Sequence, residues 1–278
     1  MLIKKEIHKK LYKAKENELV SIKDSSIWLK NGNITPQTEA RLCFLQDRNI
    51  FFNSPGNCKH CGKAKITVDH LATYCKKMLG HDYTRRHNEV VRCLHLLLAN
   101  KFGFKKSKKL RLHSVRDVMV NEKAEIRIDT SIKTDIMIKN NRPDLFVWDK
   151  QMNEITLIEV GITNPDMINQ VENEKYRKYD ILANEISLTY KCKVNIIPIV
   201  MSWDGIVTRF HKKHTTKLGL TKSIMAYIQS TVLRKTLETI SFEERRSLDD
   251  GMSREEAVRS AVRQLCEINQ GARENLDL

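Results

Sequence analysis

The sequence lacks a long run of apolar residues. No window of its 278 residues approaches the roughly 18 apolar side chains that a membrane-spanning helix needs, so we expect no membrane segment. The first residues, Met-Leu-Ile-Lys-Lys-Glu, also lack an apolar stretch, and we expect no secretory signal. Internal repeats and low-complexity blocks are missing too. The length allows one main domain with small attachments, or two domains.

Acidic residues are few relative to basic ones. The chain has 34 aspartates and glutamates against 49 lysines and arginines, which gives a formal net charge of +15 and an isoelectric point near 9.5. Such a field attracts polyanions and raises their local concentration. Nucleic acid is therefore the expected partner. The alternative is that the excess of lysine only keeps the surface soluble or reflects a lysine-rich proteome.

The seven cysteines do not form the pattern of a secreted, disulfide-bonded protein, because their number is odd and four ligands follow a metal-binding spacing. That spacing is Cys58-x2-Cys61-x8-His70-x4-Cys75. Zinc favours four such ligands in a tetrahedron, and a Cys-x2-Cys turn, which Gly62 suits, lets two thiolates reach one ion. The spacing predicts a structural zinc knuckle in a reducing compartment. The alternative is that these residues are ordinary buried thiols.

The hydrophobic pattern changes its period along the chain, which predicts alternating helices and strands. Pro198 indicates that the last predicted strand is an edge strand or contains a bulge. The resulting order is that of an α/β/α sandwich around a mixed sheet. The predicted elements are a helical connector at 1–56, an amphipathic helix at about 82–101, an antiparallel meander of three strands at 124–163, a helical stretch at 166–190, a strand at 194–201 and a helical remainder.

Two acids stand at the ends of neighbouring predicted strands. Asp144 follows Arg142-Pro143 at the start of one strand, and Glu159 ends the apolar run Ile-Thr-Leu-Ile on the next. An antiparallel pair would place the two carboxylates side by side, and phosphodiester hydrolysis needs carboxylates that converge on Mg²⁺. The alternatives are a turn residue for Asp144 and an exposed strand charge for Glu159. A lysine usually follows two residues after the second acid, but here that position is Gly161.

The missing cation can come from the helix that follows these strands. Lys175 and Lys178 lie one turn apart and close to one face of that helix. The alternative is that Lys178 only pairs with Glu174, four residues before it. Arg86 and His87, with Asn88, open the long amphipathic helix, where the alternative to a functional role is a solvated polar face.

The order of these motifs resembles the C-terminal region of site-specific LINE-type (non-LTR) retrotransposons that carry a restriction-like endonuclease. The resemblance covers about residues 25–245, and the combined order is more specific than any single motif. It implies a nuclease of the PD-(D/E)xK fold class, which nicks target DNA to supply the primer for reverse transcription. The matching motifs are the Cys-Cys-His-Cys knuckle, Arg86-His87-Asn88, Arg142-Pro143-Asp144, Ile158-Glu159-Val160 and Lys178-Tyr179-x-x-Leu182.

The resemblance also implies roles for single residues. Asp144 and Glu159 would hold the catalytic Mg²⁺ or Mn²⁺, and Lys178 would be a displaced catalytic lysine. Glutamate stands here in place of the aspartate that is more usual as the second acid. The knuckle would lie beside the nuclease and help to bind DNA or the RNA of the element. The residues expected to bind DNA are Arg86, His87, Arg142 and Lys175.

This resemblance implies a division of the chain into domains and a cellular location. The chain lacks the family's reverse transcriptase signature, Tyr-x-Asp-Asp, and its N-terminal DNA-binding fingers, so we expect it to be the C-terminal piece of a longer polyprotein. We expect a nuclear location, and a dimer is an open alternative. Two other hypotheses are a nucleic-acid-binding remnant without catalysis and a Holliday-junction or repair nuclease of the same fold. The predicted divisions are a connector at 1–56, a zinc knuckle at 57–80, a restriction-like endonuclease domain at 81–245 and a charged helical tail at 246–278.

Overall fold

The computed structural model describes residues 16–32, 34–46 and 56–248. The chain forms two compact units, of which the first ends at Thr236 and the second begins at Leu237. The predicted tail lies outside the described residues beyond Leu248, and the predicted boundaries at 56, 80 and 245 stay predictions.

One five-stranded mixed sheet organises the first unit. Its strands lie in chain order, with antiparallel pairing from β1 to β4 and parallel pairing of β5 with β4. This confirms the mixed α/β class and the antiparallel meander, to which the structure adds the short strand β1. The strands are β1 (Val118–Val120), β2 (Ala124–Ile128), β3 (Leu145–Asp149), β4 (Glu154–Thr163) and β5 (Lys193–Ser202).

Eight helices accompany this sheet in the described part of the chain, and none of them is long and apolar enough to cross a membrane. Two short π-helical segments, His70–Tyr74 and Leu79–Tyr83, lie on either side of a helical turn at Lys76–Met78. Single 3₁₀ turns occur at Leu110–Leu112 and Pro165–Met167. The helices are α1 (Ile22–Ser25), α2 (Ile27–Asn31), α3 (Pro36–Gln46), α4 (Thr84–Lys101), α5 (Ile168–Arg177), α6 (Asp180–Tyr190), α7 (His211–Leu218) and α8 (Lys222–Leu248).

Strand β4 is buried on both faces over most of its length. Ile155 and Leu157 pack with Leu182 and Ile186 of α6 on one face. The side chains that alternate with them are also buried, and α4 contacts the same strand. A strand covered on both sides needs apolar residues at consecutive positions, which explains why most residues from Ile155 to Ile162 are apolar. The parallel step from β4 to β5 requires a crossover, which α5 and α6 provide.

Local sequence signals account for several boundaries. Thr35 Oγ1 accepts a hydrogen bond from the backbone N–H of Thr38 at 3.3 Å, and Pro36 is the first residue of α3, as the sequence predicts. Among the described strands, β5 pairs with β4 alone, so Pro198 lies in an edge strand, which confirms that prediction. The amphipathic helix predicted at about 82–101 is α4, whose apolar stripe is buried at Val90, Val91, Leu94 and Leu98.

Candidate active site and metal centre

The four predicted zinc ligands converge. Their ligand atoms all lie within 4.8 Å of one another, and Cys58 Sγ lies 3.8 Å from Cys75 Sγ. Cys61 Sγ lies 3.3 Å from His70 Nε2. A tetrahedral zinc ion with bonds of about 2.3 Å to sulfur holds neighbouring thiolates about 3.8 Å apart. The cluster can therefore hold a metal ion, and its sulfur and imidazole donors suit zinc.

The local backbone explains how these ligands meet. In the knuckle turn, the backbone N–H of Gly62 donates to Cys58 O at 2.7 Å, and Gly62 adopts the left-handed conformation with φ of +65°. Hydrogen bonding to the backbone of Lys63 lowers the pKa of Cys61 to about 6, which favours the thiolate that metals bind. His70 and Cys75 flank one π-helical segment, and the backbone N–H of Cys75 donates to His70 O at 2.7 Å.

The two predicted acids lie side by side on the β3–β4 pair. Leu145 pairs with Ile158, so the residue before β3, Asp144, lies opposite Glu159. The backbone nitrogen of Asp144 lies 3.4 Å from Glu159 Oε2. Only 2% of Glu159 is exposed, which excludes the alternative of an exposed strand charge. Asp144 is not a free turn residue either, since its Oδ2 accepts a hydrogen bond from the backbone N–H of Val160 at 2.7 Å.

Two lysines approach Glu159: Lys175 in α5 and Lys178, the residue that follows this helix. Lys175 Nζ and Lys178 Nζ lie 2.6 Å and 2.7 Å from Glu159 Oε1. Burial alone would lower the pKa of Lys175, but the charge of Glu159 and the hydrogen bond to it, together with the charges of Tyr83 and Asp144, outweigh burial and raise that pKa. The alternative pairing of Lys178 with Glu174 is not observed, because Glu174 accepts a hydrogen bond from Gln170 instead.

Gly161 explains why these cations come from a helix. Its Cα lies on the same face of β4 as Glu159, where the usual lysine would stand. A Cβ at this position would lie 3.1 Å from a methyl group of Val200 and 3.4 Å from one of Val171. The glycine therefore permits α5, which carries Val171, to pack close to the strand, and this approach brings Lys175 within reach of Glu159.

His87 contacts the first acid from the start of α4. Its Nε2 lies 3.0 Å from Asp144 Oδ2, and its Nδ1 lies 3.1 Å from Asn88 Oδ1. Burial alone would raise the pKa of Asp144, but the hydrogen bond and charge of His87 outweigh it and lower that pKa. Burial alone would lower the pKa of His87, but the hydrogen bond to Asp144, the charge of Asp144 and the hydrogen bond to Asn88 together outweigh burial and raise that pKa. Tyr83, which the sequence did not indicate, stacks on His87 with ring centroids 5.9 Å apart.

The two predicted DNA-binding arginines lie in different surroundings. Arg86 is fully buried and donates to the backbone carbonyl of Ala72. A side chain in the interior cannot contact a phosphate backbone, so the DNA-binding prediction for Arg86 is corrected to a structural role. Arg142 is exposed and pairs with Asp129 at 2.7 Å. Its backbone carbonyl accepts a hydrogen bond from the hydroxyl of Tyr179 at 2.7 Å.

Buried hydrogen bonds connect the metal-ligand segment to the sheet. Asp69 Oδ1 accepts from Asn164 Nδ2 at 3.2 Å and from Trp203 Nε1 at 3.1 Å. Asn164 follows β4 and accepts a hydrogen bond from the backbone N–H of Asp166, in the turn that leads into α5. Asp69 precedes the ligand His70, so the segment is attached at the ends of β4 and β5. This connection could not be predicted from the sequence, because the partners of Asp69 are 95 and 134 residues away.

Comparisons with known proteins identify no family for this chain. No protein-family model matches the chain, and no curated protein matches it. One similar solved structure is an N-terminal domain of a reptarenavirus L protein. It is 14% identical over 80% of this chain and 90% of that chain, with a TM-score of 0.29. A likeness of this degree carries no argument about fold or activity.

Proposed function

We propose that the chain is a divalent-metal-dependent DNA endonuclease with a PD-(D/E)xK α/β/α sandwich. The observation that carries this proposal is the convergence of two acids and two lysines on one pair of strands. Asp144 and Glu159 lie side by side, and Lys175 and Lys178 both contact Glu159. Acids on adjacent strands with lysine at one of them match the requirements of phosphodiester hydrolysis. The net charge of +15 supports a polyanionic substrate.

The acid pair suits a hard divalent cation. Mg²⁺ is bound through oxygen and is often held by one or two carboxylates together with substrate phosphates and water. Among the described residues, Asp144 and Glu159 do not belong to a larger cluster of ligating side chains. The remaining ligands would therefore come from substrate and solvent. When bound there, Mg²⁺ or Mn²⁺ would activate water and neutralise charge on the phosphate.

The residues of the chain would position and balance the reacting groups. Lys178 is about one-third exposed, so its ammonium reaches the surface where a phosphate would bind, and it would offset negative charge that develops during in-line attack by water. Lys175 is less exposed and would hold the carboxylate of Glu159 in place through its hydrogen bond. His87 and the backbone N–H of Val160 would fix the orientation of Asp144.

The cysteine and histidine cluster would hold a structural zinc ion. Four ligands from the protein leave no open position for substrate, which is the arrangement of structural zinc sites. The same segment carries exposed lysines that support contact with nucleic acid, either DNA or the RNA of an element. These are Lys63, Lys65, Lys76 and Lys77.

The motif order supports a biological setting. We infer that the chain derives from a LINE-type retrotransposon and would nick target DNA in the nucleus for target-primed reverse transcription. The reverse transcriptase of the same polyprotein would be its functional partner, and dimerisation would allow both strands to be cut. A second candidate function is nucleic-acid binding without cleavage. It is favoured by the fact that each site acid already contacts a basic side chain, His87 at Asp144 and the two lysines at Glu159, as in a structural polar network.

A plasmid-nicking assay separates these two functions. The full chain is incubated with supercoiled plasmid and Mg²⁺ or Mn²⁺, beside an EDTA control. Asp144→Asn, which retains an acceptor for the Val160 N–H, should abolish nicking without loss of DNA binding or folding. Asp135→Asn is the matched control, because it removes an exposed carboxylate of the adjacent hairpin. Equal nicking by parent and Asp144→Asn would refute the active-site assignment, and binding without nicking by the parent would favour the second function.

A further inference from the structure

A strongly basic loop connects α4 to β1. Residues 105–117 contain six lysines and arginines and one aspartate. Four exposed side chains of this loop, which we call the basic track, have no carboxylate within salt-bridge distance in the described ranges. Unpaired cations at this density repel one another, and an external polyanion would relieve that repulsion. The basic track consists of Lys106, Lys108, Lys109 and Arg116.

The loop is held in one shape by polar contacts to α4 and within the loop, of which the contact between His95 and His113 is buried. His113 is 4% exposed, and its two ring nitrogens lie 3.0 Å from Lys105 Nζ and 2.7 Å from His95 Nδ1. Arg92 of α4 donates to the backbone carbonyls of His113 at 2.9 Å and Leu110 at 2.6 Å. A surface that is already ordered loses less conformational entropy when it binds a ligand. The basic track is therefore preorganised rather than a loose run of lysines.

One end of the loop lies at the far end of α4 from the acids. The backbone N–H of Lys105 donates to Ala99 O at 3.1 Å, and Ala99 is 12 residues after His87 on the same helix. At 1.5 Å per residue, the loop begins about 18 Å along the helix from His87. This length corresponds to about five base pairs of duplex at 3.4 Å each.

The other end of the loop returns to the strand ends that carry the site. The carbonyl of Asp117 accepts a hydrogen bond from the backbone N–H of Ile128 at 2.8 Å, and Ile128 pairs with Leu145. Arg116 lies just before β1, and Asp144 lies just before β3. Two strand spacings separate these strands, so Arg116 stands roughly 10 Å from Asp144. The loop thus extends along α4 towards the proposed active site.

The side chains of the loop indicate the form of nucleic acid that it fits. Proteins that hold single strands stack bases on exposed aromatic rings. Residues 105–117 contain no Phe, Tyr or Trp, and their one histidine is buried. Lysine and arginine contact phosphates, which carry no sequence information. We infer that the basic track binds the phosphate backbone of duplex DNA beside the cut site, an inference that rests on the proposed nuclease function.

The test compares two triple variants that remove the same charge. The first is Lys106→Gln, Lys108→Gln and Lys109→Gln in the track. The control is Lys123→Gln, Lys191→Gln and Lys193→Gln, which are exposed residues at the opposite end of the sheet, beside Asp149 and Glu154. Binding of a labelled blunt duplex, of its single strand and of phosphatidylserine vesicles is measured without added Mg²⁺ or Mn²⁺ over a range of salt. Circular dichroism and melting curves establish that both variants are folded.

The track variant should bind duplex at least about tenfold more weakly. The negative slope of its log K against log salt should become shallower by roughly 2 to 3, since each phosphate contact contributes about 0.9 to its magnitude. The control should retain the parent's slope. An unchanged track variant, an equal loss in the control or a loss confined to vesicles or to single strands would overturn the inference. The omission of Mg²⁺ and Mn²⁺ prevents metal-dependent cleavage and leaves the proposed structural zinc in place, so these results are independent of whether Asp144→Asn abolishes nicking.

Discussion

Lys178, the residue that follows α5, donates a hydrogen bond at 2.7 Å to Oε1 of Glu159 in the middle of strand β4. The two residues are 19 positions apart, and the second acid and the cation of this site therefore belong to separate elements. In the usual arrangement of such an acid pair, a lysine two positions after the second acid supplies this cation. Here Gly161 occupies that position.

Replacement of Lys178 by alanine should lower the rate of plasmid nicking about 100-fold or more, because one preorganised charge that stabilises a transition state contributes on that scale. The double variant with Lys175→Ala should lose more. Single-turnover rates at saturating protein measure the chemical step apart from DNA binding. Lys123→Ala serves as the control, since Lys123 is exposed in the turn between β1 and β2. Nicking at the parent rate by Lys178→Ala would contradict its catalytic role.

The substitution Gly161→Ala should lower the free energy of unfolding by about 1–3 kcal/mol, because the added methyl overpacks a closed interior against Val200 and Val171. It should also slow nicking, since displacement of α5 moves both lysines away from Glu159. Urea denaturation and the nicking assay measure the two effects. Gly80→Ala is the matched control, because a Cβ there has no neighbour within 4 Å. Equal stability of Gly161→Ala and parent would show that α5 does not pack as closely as described.

Metal analysis of the purified chain should find one zinc ion per molecule, bound by the cysteine and histidine cluster. Cys75→Ala should lose that ion and lower the melting temperature, because a structural zinc site contributes its binding energy to folding. Cys93→Ala provides a comparison, since Cys93 is a buried thiol of α4 outside the cluster. Retention of zinc by Cys75→Ala, or its loss from Cys93→Ala, would contradict the assigned ligands.

Stability should fall as the pH is lowered from about 6.5 towards 4. Burial lowers the pKa of His95, His211 and His214 to about 4, from an ordinary value of 6.5. Between these values the unfolded chain binds more protons than the folded one, so acid favours unfolding. Each histidine contributes a slope of up to about 1.4 kcal/mol per pH unit. Urea denaturation at several pH values checks this, and His211→Gln should flatten the curve; a curve as steep as the parent's would exclude His211 as a contributor.

Elements with a strong local signal could be predicted from the sequence. The alternation in Ala124–Ile128 and the apolar runs of β3 and β4 indicate strands, and Thr35 with Pro36 marks the start of α3. Strand β1 could not be predicted, because three residues are too few to show a period. The separation of α5 from α6 was also not predicted, since the apolar pattern continues across Lys178 and Tyr179 without a glycine or proline.

The candidate site was predictable where residues are close in sequence or join by strand register. Spacing alone indicated the Cys58 to Cys75 cluster, and an antiparallel pair implied that Asp144 and Glu159 are neighbours. Contacts between distant elements left no signal. Arg86 is an example, because a charged residue at the start of an amphipathic helix usually faces solvent, whereas here it is buried and donates to the carbonyl of Ala72 in the π-helical segment His70–Tyr74.

Two kinds of element carry the charged groups of the site: strands carry the acids, and a helix carries the lysines. The positions of Asp144 and Glu159 follow from the register of the sheet on which folding depends. The positions of the lysines follow from one partly exposed helix, residues 168–178, in which only two side chains of Ile168–Arg177 are buried. Exchange of the exposed residues of that helix, with the core residues Ile168 and Val171 kept, would change the positive half of the site in one step. The reactivity of such a protein can therefore evolve, or be engineered, at little risk to its core.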